Sequence, residues 1–256
     1  MNYVLKINIP LLVIGAAVFS ISAQNPLPRK PFTQWSRSEA EAVLNDSAWA
    51  ARSEVRIKFD KETQVAAGSY SGVSGAAAAQ SQTQVTSEAP VDFIFTLRLR
   101  SAFPVRQALV RLRQLQSDVK MSDQERAAYE ARTKGLLECP ACVNNYVVSL
   151  SSKSASRPGA DAVYTLFKGG RLADLQRYVY IANERGERRP LIHFDPPKAP
   201  GDEATFFFPR FDEKGAPLLT IANKELLINL TDNQINPITN FKIDVSKLLI
   251  DGKVEF

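Results

Sequence analysis

Residues 91–100 of the 256-residue chain read VDFIFTLRLR, and this stretch decides the fold class. Large apolar side chains stand at every second position, namely Phe93, Phe95, Leu97 and Leu99. Successive side chains of a strand point to opposite faces of the sheet. The alternation therefore predicts a β-strand with one face in the core and with Arg98 and Arg100 together on its outward face.

Short stretches of the same kind recur along the chain and are separated by turn sequences. Further strands are predicted at 55–59, 146–150, 177–183, 190–194, 204–211, 226–230, 241–245, 248–250 and 254–256, with another segment from Leu218. The turns stand at 183–186, 212–215 and 251–252, where glycine supplies a positive φ. The pattern predicts a mainly β (α+β) fold, either an antiparallel β-sandwich or a partly open barrel, immunoglobulin-like in style.

Two Ser-x-x-Glu capping boxes mark where helices begin. The sequence SRSE begins the predicted helix 36–46, and SDQE begins a helix that ends near Glu138. Pro104 begins the helix before it, because proline fits the first turn. The two later helices form a predicted helical insertion at 104–139 between strands. Trp35 and Trp49 flank the first helix and are predicted to pack on the core, with stacking on a sugar as the alternative.

Residues 64–90 consist mainly of alanine, serine, glycine and glutamine. Such a segment buries too little apolar surface to offset the entropy of ordering it. We expect a flexible low-complexity loop there. The strands on either side of this loop and of the helical insertion are predicted to join one sheet system, which makes residues 24–256 a single domain.

The first 23 residues have the pattern of a secretory signal peptide. Lys6 supplies the positive charge, residues 9–23 carry none, and Ile-Ser-Ala at 21–23 resembles a cleavage site. The run is short for a bilayer span, so we expect cleavage and no stable membrane span afterwards. The alternative is a retained N-terminal anchor. Cleavage lowers the formal net charge from +5 to +4, and this modest charge on an exported protein argues against nucleic acid as a partner.

The chain has two cysteines, Cys139 and Cys142. Outside a reducing cytosol such a pair tends to oxidise, so a disulfide is predicted. The alternative is a thiol–disulfide oxidoreductase. Against it, the predicted helix precedes the cysteines and Pro140 stops it, which leaves Cys139 near a negative helix end where a thiolate is disfavoured.

The sequence presents no catalytic constellation. The single histidine, His193, stands among apolar residues on a predicted strand and is interpreted as a structural residue. A zinc site formed by Cys139, Cys142, His193 and Asp195 would use suitable ligand types. However, the cysteine pair and the His193–Asp195 pair are about fifty residues apart in the sequence, and the thiols would have to escape oxidation. The chain has no P-loop, dinucleotide-binding or calcium-loop motif. We therefore expect no catalytic residues, no metal and no cofactor, and a protein that is not an enzyme.

Positive charge is concentrated between Asp92 and Asp118. No acidic residue stands between these two, whereas five arginines do: Arg98, Arg100, Arg106, Arg111 and Arg113. Guanidinium groups bind carboxylates and phosphates through paired hydrogen bonds. These arginines are a candidate anion-binding surface for an acidic glycan or a lipid headgroup. The alternative is a solvated face paired with acids from elsewhere in the chain.

Five segments resemble a family of uncharacterised exported bacterial proteins that is best represented in acidobacteria. They are KPFTQWS at 30–36, NDSAWA at 45–50, TKGLLECPAC at 133–142, PPKAPGDEA at 196–204 and DGKVEF at 251–256. The similarity spans most of the mature chain. The family has no established activity, so the resemblance implies a bacterial periplasmic or secreted protein and nothing about mechanism.

Together these features predict a non-enzymatic binding or envelope-interaction module in the periplasm or outside the cell. Its partner would be a protein, a glycan or a lipid headgroup at the cell envelope. The two alternatives are the oxidoreductase at Cys139 and Cys142 and a polyanion-binding surface at the five arginines.

Overall fold

The computed structural model describes residues 26–57, 91–116, 122–230 and 240–256. The predicted signal peptide, the predicted loop at 64–90 and the end of the strand predicted at 55–59 lie outside the described residues. Strands make up 31% of the structure and form three antiparallel sheets. The predicted mainly β α+β class is confirmed, and no closed barrel is found in this part of the chain.

The largest sheet has five strands. In spatial order they are Ala50–Ile57 (β1), Val91–Leu99 (β2), Asn145–Lys153 (β3), Ala204–Pro209 (β7) and His193–Asp195 (β6). The register places Arg98 opposite Ser149, and Ser149 opposite Thr205. The side chains of these three residues therefore share one face of the sheet.

A second sheet has four strands, and a third is a single hairpin. The four strands are, in spatial order, Arg188–Pro190 (β5), Tyr180–Asn183 (β4), Glu225–Asn229 (β8) and Phe241–Asp244 (β9). The hairpin joins Leu249–Ile250 (β10) to Lys253–Val254 (β11). Its turn residues Asp251 and Gly252 both have positive φ, at 49° and 75°, as the predicted two-residue turn requires.

The strand predicted at 190–194 is wrong, because the chain divides it between two sheets. β5 pairs with β4, whereas β6 pairs with β7. Pro190 has no N–H to donate to a ladder. Two residues later, the N–H of Ile192 already donates to the carbonyl of Phe207 on β7, across 2.9 Å. The strand predicted at 177–183 is also shorter than expected, since a turn in which the N–H groups of Tyr178 and Val179 donate to the carbonyl of Leu175 precedes Tyr180.

The helices begin where the capping boxes predict. Six α-helical segments are described: Arg37–Asn45 (α1), Phe103–Gln116 (α2), Asp123–Glu138 (α3), Pro140–Asn144 (α4), Ala162–Phe167 (α5) and Leu172–Leu175 (α6). Short 3₁₀ turns occur at Phe32–Gln34 and Val245–Lys247. Both capping boxes are formed, at the first residues of α1 and α3. α2 and α3 lie between β2 and β3 in the chain, where the helical insertion was expected.

Buried residues of both larger sheets form one hydrophobic cluster. The four alternating apolar side chains of β2 lie in this cluster and are 0–1% exposed. The cluster also contains Trp35 and Trp49, 3% and 4% exposed. The prediction that the two tryptophans pack on the core is confirmed, and the sugar-stacking alternative is wrong for that reason.

The opposite face of β2 and β3 is polar, yet it is covered as well. Thr96, Arg98 and Ser149 on this face are 7%, 8% and 0% exposed. α1 reaches this face through the carbonyl of Leu44, which accepts a hydrogen bond from Arg98. α1 in turn packs against α2. The structure thus places a polar layer beneath the helices, and the candidate site opens from this layer.

Candidate binding groove

Arg98 and Arg100 hold the same carboxylate. Arg98 Nη1 lies 2.5 Å from Glu203 Oε1, and Arg100 Nη1 lies 3.0 Å from Glu203 Oε2. Arg98 is on β2, Arg100 is the first residue after β2, and Glu203 stands immediately before β7. One negative charge therefore balances two positive charges at this point.

Arg98 lies on the face of β2 opposite the core, as predicted, but this face is covered and the side chain is not exposed to solvent. Its guanidinium is buried beneath the end of α1, where it donates to the carbonyl of Leu44 across 2.8 Å and to the side-chain oxygen of Asn45 across 2.7 Å. A further bond of 2.8 Å reaches Ser151 Oγ on β3. The free carbonyls at the end of a helix attract a cation, and these partners make burial of the charge possible. Burial lowers the pKa of the Arg98 guanidinium, and the charge of Glu203 opposes that change.

Beside this pair, the structure opens into a groove of about 370 Å³ between α2 and the segment that precedes β7. Its lining includes three cationic side chains, Arg100, Arg113 and Lys198, and two carboxylates, Asp202 and Glu203. Leu109 and Pro196 add apolar surface. We call this the Arg100 groove.

The carboxylates of the Arg100 groove are fixed by the protein itself. Asp202 Oδ2 accepts the backbone N–H groups of Lys198 and Ala199, across 3.1 Å and 2.9 Å. Glu203 is held by Arg98 and Arg100 as described above. Groups held in this way lose little freedom when a ligand arrives, and such preorganisation favours binding.

The same polar layer contains a buried hydroxyl. Ser149 Oγ forms no hydrogen bond with any described residue, although Ser149 is 0% exposed. Its cross-strand neighbours are Arg98 on one side and Thr205 on the other, and Thr205 lines the Arg100 groove.

The other two predicted arginines lie elsewhere. Arg106 donates to the carbonyl of Leu137 at the end of α3 and packs over the ring of Phe103, 5.2 Å from its centre. Arg111 Nε donates to the carbonyl of Trp35 across 2.6 Å. The structure therefore brings Arg98, Arg100 and Arg113 to one region and separates Arg106 and Arg111 from it. Anion binding itself stays a prediction.

Sequence reasoning did not select Lys198, Asp202 and Glu203. They stand in the segment 196–204, whose composition of proline, glycine and charged residues is typical of a loop. Glu203 is 105 positions from Arg98. Only the pairing of β3 with both β2 and β7 brings the two ends together, and no local pattern reveals that pairing.

The sulfur atoms of Cys139 and Cys142 lie 1.97 Å apart, at disulfide-bonding distance as predicted. The account of Pro140 needs correction, because this proline begins α4 as well as ending the helix before it. Cys139 therefore stands at the carboxyl end of α3 and at the amino end of the five-residue α4, with a left-handed φ of 42°. Cys142 is buried at 5% exposure, whereas Cys139 is half-buried.

His193 begins β6 and its side chain is 60% exposed. Its Nε2 lies 2.9 Å from Asp195 Oδ1, and its ring packs edge-on against Phe207. Across the described ranges, no group of three or more histidine, cysteine, aspartate or glutamate side chains is placed to hold a metal ion. The four side chains of the alternative zinc site are therefore not brought together, and its two cysteines lie at disulfide-bonding distance from each other.

A second cavity, of about 440 Å³, lies near the start of β2. Val91 and Phe93 contribute apolar surface, and Tyr164 and Asp161 contribute polar groups. Asp161 is already engaged, because it caps α5 through the N–H of Tyr164 and accepts the N–H of Gly201 across 2.7 Å. This carboxylate therefore serves the local fold.

No helix in the described part of the chain is long and apolar enough to cross a bilayer. Comparisons with protein-family models, curated proteins and solved structures found no match to this chain. The functional conclusions below rest on the residues described above.

Proposed function

We propose that this protein is exported and acts in the periplasm or outside the cell as a non-enzymatic binding module for a component of the cell envelope. Export is supported by the signal-like sequence at 1–23 and by the cysteine pair at disulfide-bonding distance, since disulfides persist in oxidising compartments.

The observation that carries the binding role is the preorganised Arg100 groove. Charged groups from three separate parts of the chain meet in it, and the framework holds them through Arg98 and through the backbone around Asp202. Ligand sites are concave surfaces with a few convergent polar groups. A covalent reaction would further require a nucleophile paired with a base. His193 instead forms a hydrogen bond with Asp195, and it is not among the residues that line the groove.

The binding role is tested by a thermal-shift screen of the purified, oxidised protein. The panel contains acidic and neutral glycans, lipid headgroups, metal ions and envelope peptides. A ligand well above its dissociation constant raises the melting temperature in a saturable manner. We expect at least one envelope component to do so without being consumed. A specific turnover that disappears in the His193→Ala variant would contradict the non-enzymatic role, and a panel without any stabilising ligand would contradict binding.

Export is tested separately, by expressing the full chain in a bacterium and sequencing the N-terminus of the protein recovered from each cell fraction. We expect a mature form that begins at Gln24 in the periplasmic or extracellular fraction. Material that retains Met1 in the membrane would support the anchor alternative. Recovery from the cytosol with both thiols free would contradict export.

A thiol–disulfide oxidoreductase is the second candidate, favoured by one observation. Cys139 is more exposed than Cys142 and stands at the amino end of α4, so an incoming thiolate would reach its sulfur first. The discriminating measurement is the reduction potential of the pair. A structural disulfide has a potential below about −300 mV, and a working dithiol lies well above that value. We expect the lower value, because the negative end of α3 also lies at Cys139.

A further inference from the structure

We propose that the Arg100 groove binds a carboxylate-bearing saccharide, with Arg100 and Lys198 on the carboxylate and with Asp202 and Glu203 accepting sugar hydroxyl groups. This inference rests on the proposed binding function and names the class of ligand. It follows from the charge balance, the mixture of donors and acceptors, and the shape of the groove.

Positive charge exceeds negative charge in the groove. Arg100 and Lys198 line it together with Asp202 and Glu203, and the buried Arg98 adds a third positive charge at Glu203. Glu203 also serves Arg98 from behind, so only part of its charge is available to balance Arg100. The surplus favours a ligand with a negative charge, and the planar guanidinium of Arg100 matches a planar carboxylate.

The two carboxylates of the groove further restrict the class of ligand. A ligand made only of anionic acceptor groups, such as sulfate, would be repelled by Asp202 and Glu203 at close range. A sugar acid carries hydroxyl donors beside its carboxylate, and carboxylate oxygens accept hydrogen bonds from them. Leu109 and Pro196 provide apolar surface for the faces of the ring.

The shape of the site favours a small molecule over a membrane. Arg100 lies recessed, with a side chain that is 24% exposed, and the segment that carries Lys198 borders it. A flat bilayer surface attracts exposed basic clusters. Here it would approach the two carboxylates together with the cations, and Arg100 would remain out of its reach.

The test is titration calorimetry of the exported, oxidised protein with a galacturonic acid trisaccharide. The matched ligands are the neutral galactose trisaccharide, inorganic phosphate, and vesicles of phosphatidylcholine that contain phosphatidylglycerol. We expect the acidic trisaccharide to bind at least about tenfold more tightly than the neutral one, since charge-assisted hydrogen bonds account for the difference. Its affinity should fall as sodium chloride is raised from about 50 to 500 mM.

Three variants locate the binding. Arg100→Met and Lys198→Met should each raise the dissociation constant about tenfold. Arg56→Met is the control, because Arg56 lies on β1 and pairs with Asp92 outside the groove. Lys198 is exposed, so Lys198→Met tests the groove even if Arg100→Met does not fold.

The outcomes separate this inference from the proposed function. Equal binding of neutral and acidic sugars, binding only to phosphate or to vesicles, or unchanged affinity in both groove variants would each overturn the carboxylate site. If the protein still binds another envelope component in the thermal-shift screen, the binding function stands. If no ligand binds in either experiment, both fail.

Discussion

The hydroxyl oxygen of Tyr146 lies 3.2 Å from the backbone nitrogen of Leu219 and accepts its hydrogen bond. Tyr146 is on β3 of the five-stranded sheet, and Leu219 belongs to the segment that leads into β8 of the four-stranded sheet. Both residues are buried, at 0% and 3% exposure. This bond therefore ties the two sheets together inside the shared core.

Removal of this hydroxyl should destabilise the fold. In Tyr146→Phe the buried N–H of Leu219 loses its acceptor, at a cost of about 1–3 kcal/mol in the free energy of unfolding. Urea unfolding followed by tryptophan fluorescence measures the change. Tyr180→Phe, which removes a half-buried hydroxyl from β4, is the control and should have the smaller effect. Equal effects would contradict a special role for the bond.

Stability should also fall at high pH because of Tyr146. Burial raises the pKa of Tyr146 to about 12, although the bond from Leu219 and the charge of Arg210 oppose part of the increase. An unfolded tyrosine has a pKa of about 10. The folded state therefore holds this proton more tightly, so the contribution is complete below pH ~10 and is lost between pH ~10 and 12. Urea titrations at several pH values should show a decrease of up to about 1.4 kcal/mol per pH unit from this group. The decrease should be absent from Tyr146→Phe, and identical pH profiles would contradict the assignment.

Arg98→Met should strongly lower the free energy of unfolding, because the charge it removes is buried. It leaves Glu203 with Arg100 alone and removes the donors to Leu44 and Asn45. Loss of one partner of a buried ion pair costs about 3 kcal/mol or more. Arg98→Lys should restore only part of the loss, because an ammonium group lacks the planar fork that reaches several acceptors at once.

The matched control for Arg98 is Arg56→Met. Arg56 forms a two-point ion pair with Asp92, but both side chains are well exposed. Solvent screening leaves such pairs with little effect on stability. Chemical unfolding of the three variants compares them directly. If Arg56→Met and Arg98→Met destabilise equally, burial is not the reason for the effect.

Replacement of both cysteines should have a moderate effect. Cys139 and Cys142 close a very short loop, with a sequence separation of 3, and the entropy removed from the unfolded chain grows with loop length. Cys139→Ser combined with Cys142→Ser should therefore lower the free energy of unfolding by about 2 kcal/mol. The wild-type protein in excess dithiothreitol should show the same decrease. Complete loss of folding, or no change in stability, would contradict a structural disulfide with this moderate effect.

Replacement of glycine by alanine should stabilise the protein at Gly135 and destabilise it at Gly170. Gly135 lies in α3, where an added Cβ meets nothing within 4 Å. Gly135→Ala should therefore stabilise that helix by about 0.5–1 kcal/mol. At Gly170 the added Cβ would lie 3.1 Å from a ring carbon of Phe194 and 3.2 Å from the carbonyl of Phe167. Gly170→Ala should destabilise the core by about 1–3 kcal/mol.

Amide hydrogen exchange of α3 and global urea unfolding measure the two effects separately. α3 has no buried residue, so its opening can be local and need not follow the core. Greater protection in Gly135→Ala and a lower urea midpoint in Gly170→Ala are the expected results. Changes of the same sign in both variants would contradict the packing found around these residues.

Several features of the fold were predictable because they depend on close neighbours in the sequence. The apolar alternation of β2, the capping box of Ser36 and Glu39 and the Asp251–Gly252 turn all act within a few residues. Strand periodicity, cap hydrogen bonds and turn dihedrals are local properties of the chain. The pairing of Cys139 with Cys142 was predictable for the same reason.

The partners of distant segments were decided by the tertiary structure. The alternation in β2 predicts that Arg98 faces away from the core, and it does so, but only α1 above it decides that this face is buried. Likewise, the residues at 190–194 suit a single strand, but pairing with β4 on one side and with β7 on the other divides this stretch between two sheets.

The sequence by itself determined the fold class, the helix starts and the cysteine pair, since short-range sterics and hydrogen bonding suffice for these. The Arg100 groove required the order of the strands, because Glu203 meets Arg98 across 105 positions only after β7 has paired with β3. Such a contact depends on which surfaces exclude water together when the whole chain packs, and that is a property of the complete fold.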